Sequence, residues 1–139
     1  DYVFSYEKML GMKGNTATYM QYSYARVQSI FRKGQISVER VRHDPAPLVV
    51  EHPAERALAR ALLQLPEAID RSLVDYRPNH LTGYLFETAG AFADFFQQCP
   101  VLRSESDAVM LSRLKLCDLT ARTLRLGLSL LGIDVVEKM

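Results

Sequence analysis

At 139 residues, with 48% apolar and 24% charged side chains, the chain has the length and composition of one folded domain, which excludes disordered, collagen-like and disulfide-scaffold classes. A domain of this size buries roughly two-thirds of the surface that its unfolded chain exposes, so one real core is expected. The formal net charge of +1 carries no global basicity, and a nucleic-acid site must therefore come from local clustering of cations.

In chain order, Tyr2, Tyr6, Met9 and Leu10 recur at near-helical spacing and predict the last turns of a helix closed by Gly11. Gly14, Asn15 and Thr16 then form a turn that can cap a new helix, because Asn and Thr oxygens satisfy the free N–H groups of a first turn. That helix runs to Lys33 and is closed by Gly34, with Arg32 and Lys33 complementing its C-terminal dipole. Met20, Tyr24, Val27 and Ile30 or Phe31 give it an apolar face; Tyr19, Tyr22, Arg26 and Ser29 give it a second face of rings and a cation. From Gln35 to His52 the periodicity fails and Pro45 and Pro47 forbid a regular helix, so a connecting loop is expected.

Pro53 suits a first helical position, and Ala57, Leu58, Ala61, Leu62 and Leu65 mark one face of a short amphipathic helix. Pro66 starts the next, with Ala68, Ile69, Leu73 and Tyr76 as its buried stripe, and Arg77-Pro78 ends it. His80 to Gln98 is apolar nearly all round and predicts a central helix, in which Phe92, Phe95 and Phe96 supply core area and Gly83, Gly90, Ala91 and Ala93 let neighbours approach. The last helix spans about Asp107 to Leu131 after the polar Ser104 to Asp107, and Gly132 is its C-cap with Ile133 folding back. No strand-period stretch exceeds a few residues, the best being Ile36 to Val41. The expected fold is all-α, a bundle of five or six helices forming a single domain.

No catalytic constellation emerges. His43, His52 and His80 lack metal-ligand spacing, there is no Gly-x-Ser-x-Gly turn or glycine-rich phosphate loop, and Glu67, Asp70 and Asp75 fall on an outer helix face. Cys99 and Cys117 sit in apolar stretches without Cys-x-x-Cys spacing and are expected to be buried free thiols in the cytosol. What remains is a binding surface. Lys8, Lys13, Arg26, Arg32 and Lys33 load the first third with positive charge, and Arg113, Lys115, Arg122 and Arg125 load the last helix, interleaved with Tyr19, Tyr22, Tyr24, Tyr84 and Phe86. Rings stack on unpaired bases and cations track phosphates, so the mixture suits single-stranded RNA loops; it equally suits tyrosines at a core edge beside a solvated arginine face.

Gly14 to Tyr22, then Ala25-Arg26 and Ser29 to Lys33, closely resemble the opening of the C-terminal anticodon-binding domain of arginyl-tRNA synthetases. The stretch Leu116-Cys117-Asp118-Leu119-Thr120 through Gly132-Ile133 to Glu137-Lys138-Met139 is similar to that family's closing helix and tail, and Ala54 to Leu58 with Tyr84, Phe92, Phe95 and Phe96 fits its middle helices. The resemblance implies the helical bundle of class I synthetases and a parent enzyme that attaches arginine to its tRNA with ATP and magnesium. The nucleotide-binding motifs of that enzyme, a His-Ile-Gly-His-like turn and a Lys-Met-Ser-Lys-like loop, are absent here, as a C-terminal fragment starting at Asp1 implies.

By the same resemblance the tRNA-binding residues are Lys13, Gly14, Asn15, Thr16 and Ala17 in the loop that contacts the anticodon, Tyr19 beside splayed bases, then Tyr22, Arg26, Tyr84 and Arg122, and Met139 close to the anticodon. Thr18 stands where relatives often carry proline, which implies a less rigid loop. Partners implied are the anticodon loop of an arginine tRNA and an upstream catalytic domain, with no cofactor in the fragment itself. Two other readings stay open, the related tRNA-binding bundle of another synthetase subunit and a helical module that docks a protein partner.

Overall fold

The computed structural model describes residues 5–9, 11, 14–74 and 76–139. Seven helical segments follow one another: α1 (Tyr6–Met9), α2 (Ala17–Gly34), α3 (Val38–His43), α4 (Pro53–Leu63), α5 (Leu65–Val74), α6 (Asn79–Gln98) and α7 (Asp107–Leu130). Five are ten residues or longer, and no strand occurs among the described residues, in agreement with the all-α bundle expected. Tyr2 and Leu10, expected on one stripe with Tyr6, lie outside the described residues.

α2, α4 and α7 begin where side-chain chemistry satisfies their first N–H groups, whereas α6 starts after Pro78 without a side-chain cap. Thr16 Oγ1 accepts from the Tyr19 amide at 3.3 Å, and Ser106 Oγ accepts from Val109 at the same distance. At α4 the His52 ring accepts from Ala54 at 3.1 Å while Glu55 reaches back to the His52 amide at 2.9 Å, a reciprocal capping box. Gly132 ends α7 as expected, at φ +73°, with the Gly132 and Ile133 amides donating to Ser129 and Leu128 carbonyls.

α6 packs against α2, α4, α5 and α7 and is the centre of the bundle. Around its C-terminal half Phe92, Phe95 and Cys99 meet Tyr24, Val27, Ile30, Phe31, Leu58, Leu114 and Cys117; around its N-terminal half Leu81, Leu85 and Ala89 meet Met20, Ala68, Leu124 and Leu128. Both cysteines are free and buried, and burial pushes both thiols up in pKa, so they stay protonated and inert.

Several expectations are corrected. Gly34 does not close α2; it is the last helical residue, and Gln35 takes the left-handed conformation at φ +52°. A Cβ on Gly34 would lie 2.8 Å from the terminal methyls of Ile36 and Leu102, which would have to shift to admit it, while its neighbour makes the turn. The loop expected from Gln35 to His52 contains α3, because Ser37 caps it and Val41 is buried, and Arg42 pairs with Asp118 on α7 at 2.9 Å. Ala57 is exposed, the buried face of α4 being carried by Ala54, Glu55 and Leu58. Leu73 is 64% exposed at the end of α5, whose buried residue is Ala68, and Tyr76 is 90% exposed because it lies beyond the helix and turns away at φ +51°. The close helix approach is not at Gly83 or Gly90, where an added Cβ meets nothing, but at Gly127, where it would clash with the buried Leu85 side chain.

Sequence periodicity missed the polar groups inside. Arg113 and Glu55 have side chains 7% and 2% exposed and form an ion pair, Arg113 Nε donating to Glu55 Oε1 at 2.7 Å. Glu55 Oε2 accepts from the Glu51 and His52 amides, and Arg113 Nη1 donates to the Pro100 carbonyl at 2.8 Å, so the pair joins α4, α7 and the turn after α6. Burial alone would raise the Glu55 pKa, but Arg113 and those two amides outweigh it and leave the carboxyl below its usual range. Glu55→Ala removes the buried partner of Arg113, which keeps the exposed Glu105 at 3.2 Å and the Pro100 carbonyl, and is expected to cost about 3 kcal/mol in urea unfolding. A lowered carboxylate pKa contributes stability above the unfolded-state value of about 4.3 and loses it as pH falls through the folded value. The native chain should therefore lose more stability than Glu55→Gln on acidification from about pH 7 to about pH 3, and parallel losses would show that Glu55 is not linked to folding.

Candidate nucleic-acid interface

Because α2 turns 100° per residue, Tyr22, Arg26, Ser29 and Lys33 fall on one stripe, opposite the apolar stripe that enters the core. This stripe forms one wall of a cleft of about 670 Å³; Phe96 at the end of α6, the turn Pro100 to Arg103, and the terminal Lys138 and Met139 form the rest. That volume lies within the range of small-ligand sites, about 300–1,000 Å³.

Its chemistry is one-sided. Arg26, Arg32, Lys33, Arg103 and Lys138 line the cleft, and no acidic residue does so among those described. The Arg26 guanidinium lies 4.7 Å from the Tyr22 ring centroid and 5.0 Å from that of Phe96, and its Nη2 donates to the Tyr22 hydroxyl at 2.6 Å. Two rings thus hold a cation in a set orientation, and Tyr22 stays 44% exposed. An aromatic platform beside converging cations can accept a planar ring and the anionic backbone that carries it.

One turn earlier on α2, Tyr19 is half-buried, its ring 5.7 Å from Phe86. The turn before it places Gly14 at φ +96° with Asn15 exposed and Thr16 and Ala17 half-buried, and the Thr16 amide donates to Gly14 O at 2.8 Å. Tyr22, Arg26 and Met139 therefore share the cleft, while Gly14, Asn15, Thr16, Ala17 and Tyr19 lie at the N-terminal end of the helix that lines it. Lys13 lies outside the described residues.

Two other candidates are elsewhere. Tyr84 is 8% exposed, its hydroxyl donates to the Ala61 carbonyl at 2.8 Å, and burial raises its pKa; it joins α6 to α4 and offers no ring to a base. Arg122 borders a separate apolar groove lined by Leu62, Leu65, Leu119 and Leu126, and reaches Asp118 at 4.0 Å. Of the basic residues on the last helix, Arg113 is inside the fold, and the Lys115 ammonium donates to the carbonyls of Asp44, at 2.7 Å, and Ala46. Sequence reasoning missed Phe96, Arg103 and Lys138 as site residues. It missed Lys33 as a site residue as well, although the i, i+4, i+7, i+11 spacing from Tyr22 would have marked it, whereas nothing local marks a phenylalanine of an apolar helix as the one that stays 38% exposed.

Among the described residues no helix is long and apolar enough to cross a membrane, and no three His, Cys, Asp or Glu side chains are grouped as metal ligands. The family described as the DALR anticodon binding domain matches residues 20–139. Arginine–tRNA ligases from Synechococcus elongatus and Rippkaea orientalis are 50% and 51% identical over all 139 residues, and the chain spans 23% of the length of each. Among solved structures, an arginyl-tRNA synthetase from Plasmodium falciparum is 35% identical with a TM-score of 0.85, over 100% of this chain and 24% of that one. The Thermus thermophilus arginyl-tRNA synthetase is 32% identical with a TM-score of 0.82, over 98% and 23%.

If the cleft binds phosphates, Lys33→Ala and Arg103→Ala each weaken the binding of single-stranded RNA. Each also lowers the slope of log affinity against log salt by about 0.7 per lost contact. Arg71→Ala, on an exposed i,i+4 pair with Glu67 away from the cleft, is the control. Unchanged slopes in both cleft variants would place the phosphates on another face.

Proposed function

This chain belongs to the DALR anticodon-binding domain family, and from that membership we propose that it is the anticodon-binding domain of an arginine–tRNA ligase and grips the anticodon loop in the cleft beside α2. The observation that carries the reading is the acid-free cluster of cations around the Tyr22–Arg26–Phe96 stack. In this reading Arg26, Lys33, Arg103 and Lys138 hold phosphates, and the face of Tyr22 away from Arg26 receives an unstacked base. Lys13 to Thr16 bond a base edge through their backbone, with Tyr19 stacking nearby and Met139 closing the other rim.

The genetic code selects the base. Every arginine codon has G in its middle position while the first and third letters vary, so the middle anticodon cytosine is common to all arginine tRNAs. The pocket therefore reads that cytosine. Aminoacylation, with its ATP and magnesium, belongs to domains outside this chain.

Binding to an arginine tRNA transcript is expected to weaken when the middle anticodon base is changed from C to G. Tyr22→Ala and Tyr19→Ala are each expected to weaken the C form by roughly 1–3 kcal/mol, the worth of one stacking platform. Equal, salt-sensitive binding of both transcripts would mean that the domain supplies phosphate contacts without reading the base. Absence of binding would leave protein docking as the function.

A further inference from the structure

The segment after α7 is held at each step. Gly132 reverses the chain, Ile133 packs against the core around Met20 and Leu124, and Val135 packs against both halves of the core. Alternating with these apolar anchors, two residues are tethered to α2: Gln21 Nε2 donates to the Asp134 carbonyl at 2.7 Å, and the Tyr24 hydroxyl donates to Glu137 Oε1 at 3.2 Å. The next two residues, Lys138 and Met139, lie in the cleft with Tyr22 and Arg26. One helix thus presents the cleft on one stripe and holds the tail on its flank.

Tyr24 divides into two parts with different tasks. Its ring is in the core and the residue is only 3% exposed, so a phenylalanine would fill the same space. Its hydroxyl bonds to Glu137 in the tail and to Gln28 on its own helix, so Tyr24→Phe removes those bonds while keeping the packing of the ring.

We propose that Tyr24 and Gln21 are positioning residues that, by holding Glu137 and Asp134, set Lys138 and Met139 on the rim of the cleft before RNA arrives. The inference rests on the anticodon-binding reading and adds to it the residues that order the tail. Ordering the tail in the free protein removes entropy that binding would otherwise lose, and it keeps the Lys138 cation beside Arg26, Lys33 and Arg103.

The test pairs a readout without RNA with one that uses it. In the full chain carrying methyl-labelled methionine, the Met139 signal is expected to move towards the free-methionine position in Tyr24→Phe and Glu137→Ala. It should stay in place in Glu137→Gln, whose amide oxygen still accepts from the hydroxyl. Affinity for the arginine tRNA transcript should fall about threefold to tenfold in the first two variants, the effect of one lost hydrogen bond, and recover in Glu137→Gln. In a chain shortened by Lys138 and Met139, Tyr24→Phe should cause no further loss. An unmoved Met139 signal, or an equal loss of affinity in the shortened chain, overturns the positioning role. Absence of RNA binding by the native chain overturns the functional reading, and the methyl signal still decides whether the tether exists.

Discussion

The structure depends on one constraint: α2 must satisfy three neighbours at once. Met20, Tyr24, Val27 and Phe31 form a stripe that is buried against α6 and α7. Tyr22, Arg26, Ser29 and Lys33 repeat the same spacing two residues out of step, about 200° around the helix, and so face the opposite way. Gln21 and Tyr24 reach the tail on the flank between them. The order of residues along eighteen positions therefore decides what is core, what is cleft and where the tail runs. A shift of one position would move all three.

Charge follows the same partition. Seventeen Lys and Arg stand against sixteen Asp and Glu, yet within the near-neutral sum two groups of cations stand apart. Arg113 with Glu55, Arg42 with Asp118, and Lys115 with the carbonyls of Asp44 and Ala46 use their cations to tie α4, α3 and the proline-rich connection onto α7. The cations of the cleft have no acidic neighbour along its lining. The positive field is thus local, and it acts where rings stand ready to stack. The buried pair also bears on the cleft, because Arg113 holds the Pro100 carbonyl and the turn that follows carries Arg103.

Elements with a strong local cause were legible in the sequence. The caps at Thr16 and Gly132, the proline at the start of α4, the apolar stripe of α2 and the central role of α6 all follow from chemistry within a few residues of each feature. What failed needed the third dimension. Gln35 rather than Gly34 takes the left-handed position, and the space beside Gly34 is filled by Leu102 from far along the chain. Arg113 reads as part of a positive surface until α7 meets Glu55 on α4, and Tyr84 reads as a free ring until its hydroxyl finds Ala61. In the site, the resemblance led to Tyr22, Arg26 and Met139, which share the cleft, but Phe96 and Arg103 join it only through the packing of α6 against α2.

The central claim is that RNA occupies the cleft beside α2. It is tested most directly by following the backbone amide signals of the isotope-labelled chain as an arginine anticodon stem-loop is added. The account predicts that the shifts concentrate on Tyr22 to Lys33, Phe96 to Arg103 and Lys138 to Met139, with the α2 N-terminal turn at their edge. Shifts centred instead on the groove of Leu62, Leu65, Leu119, Arg122 and Leu126 would contradict it.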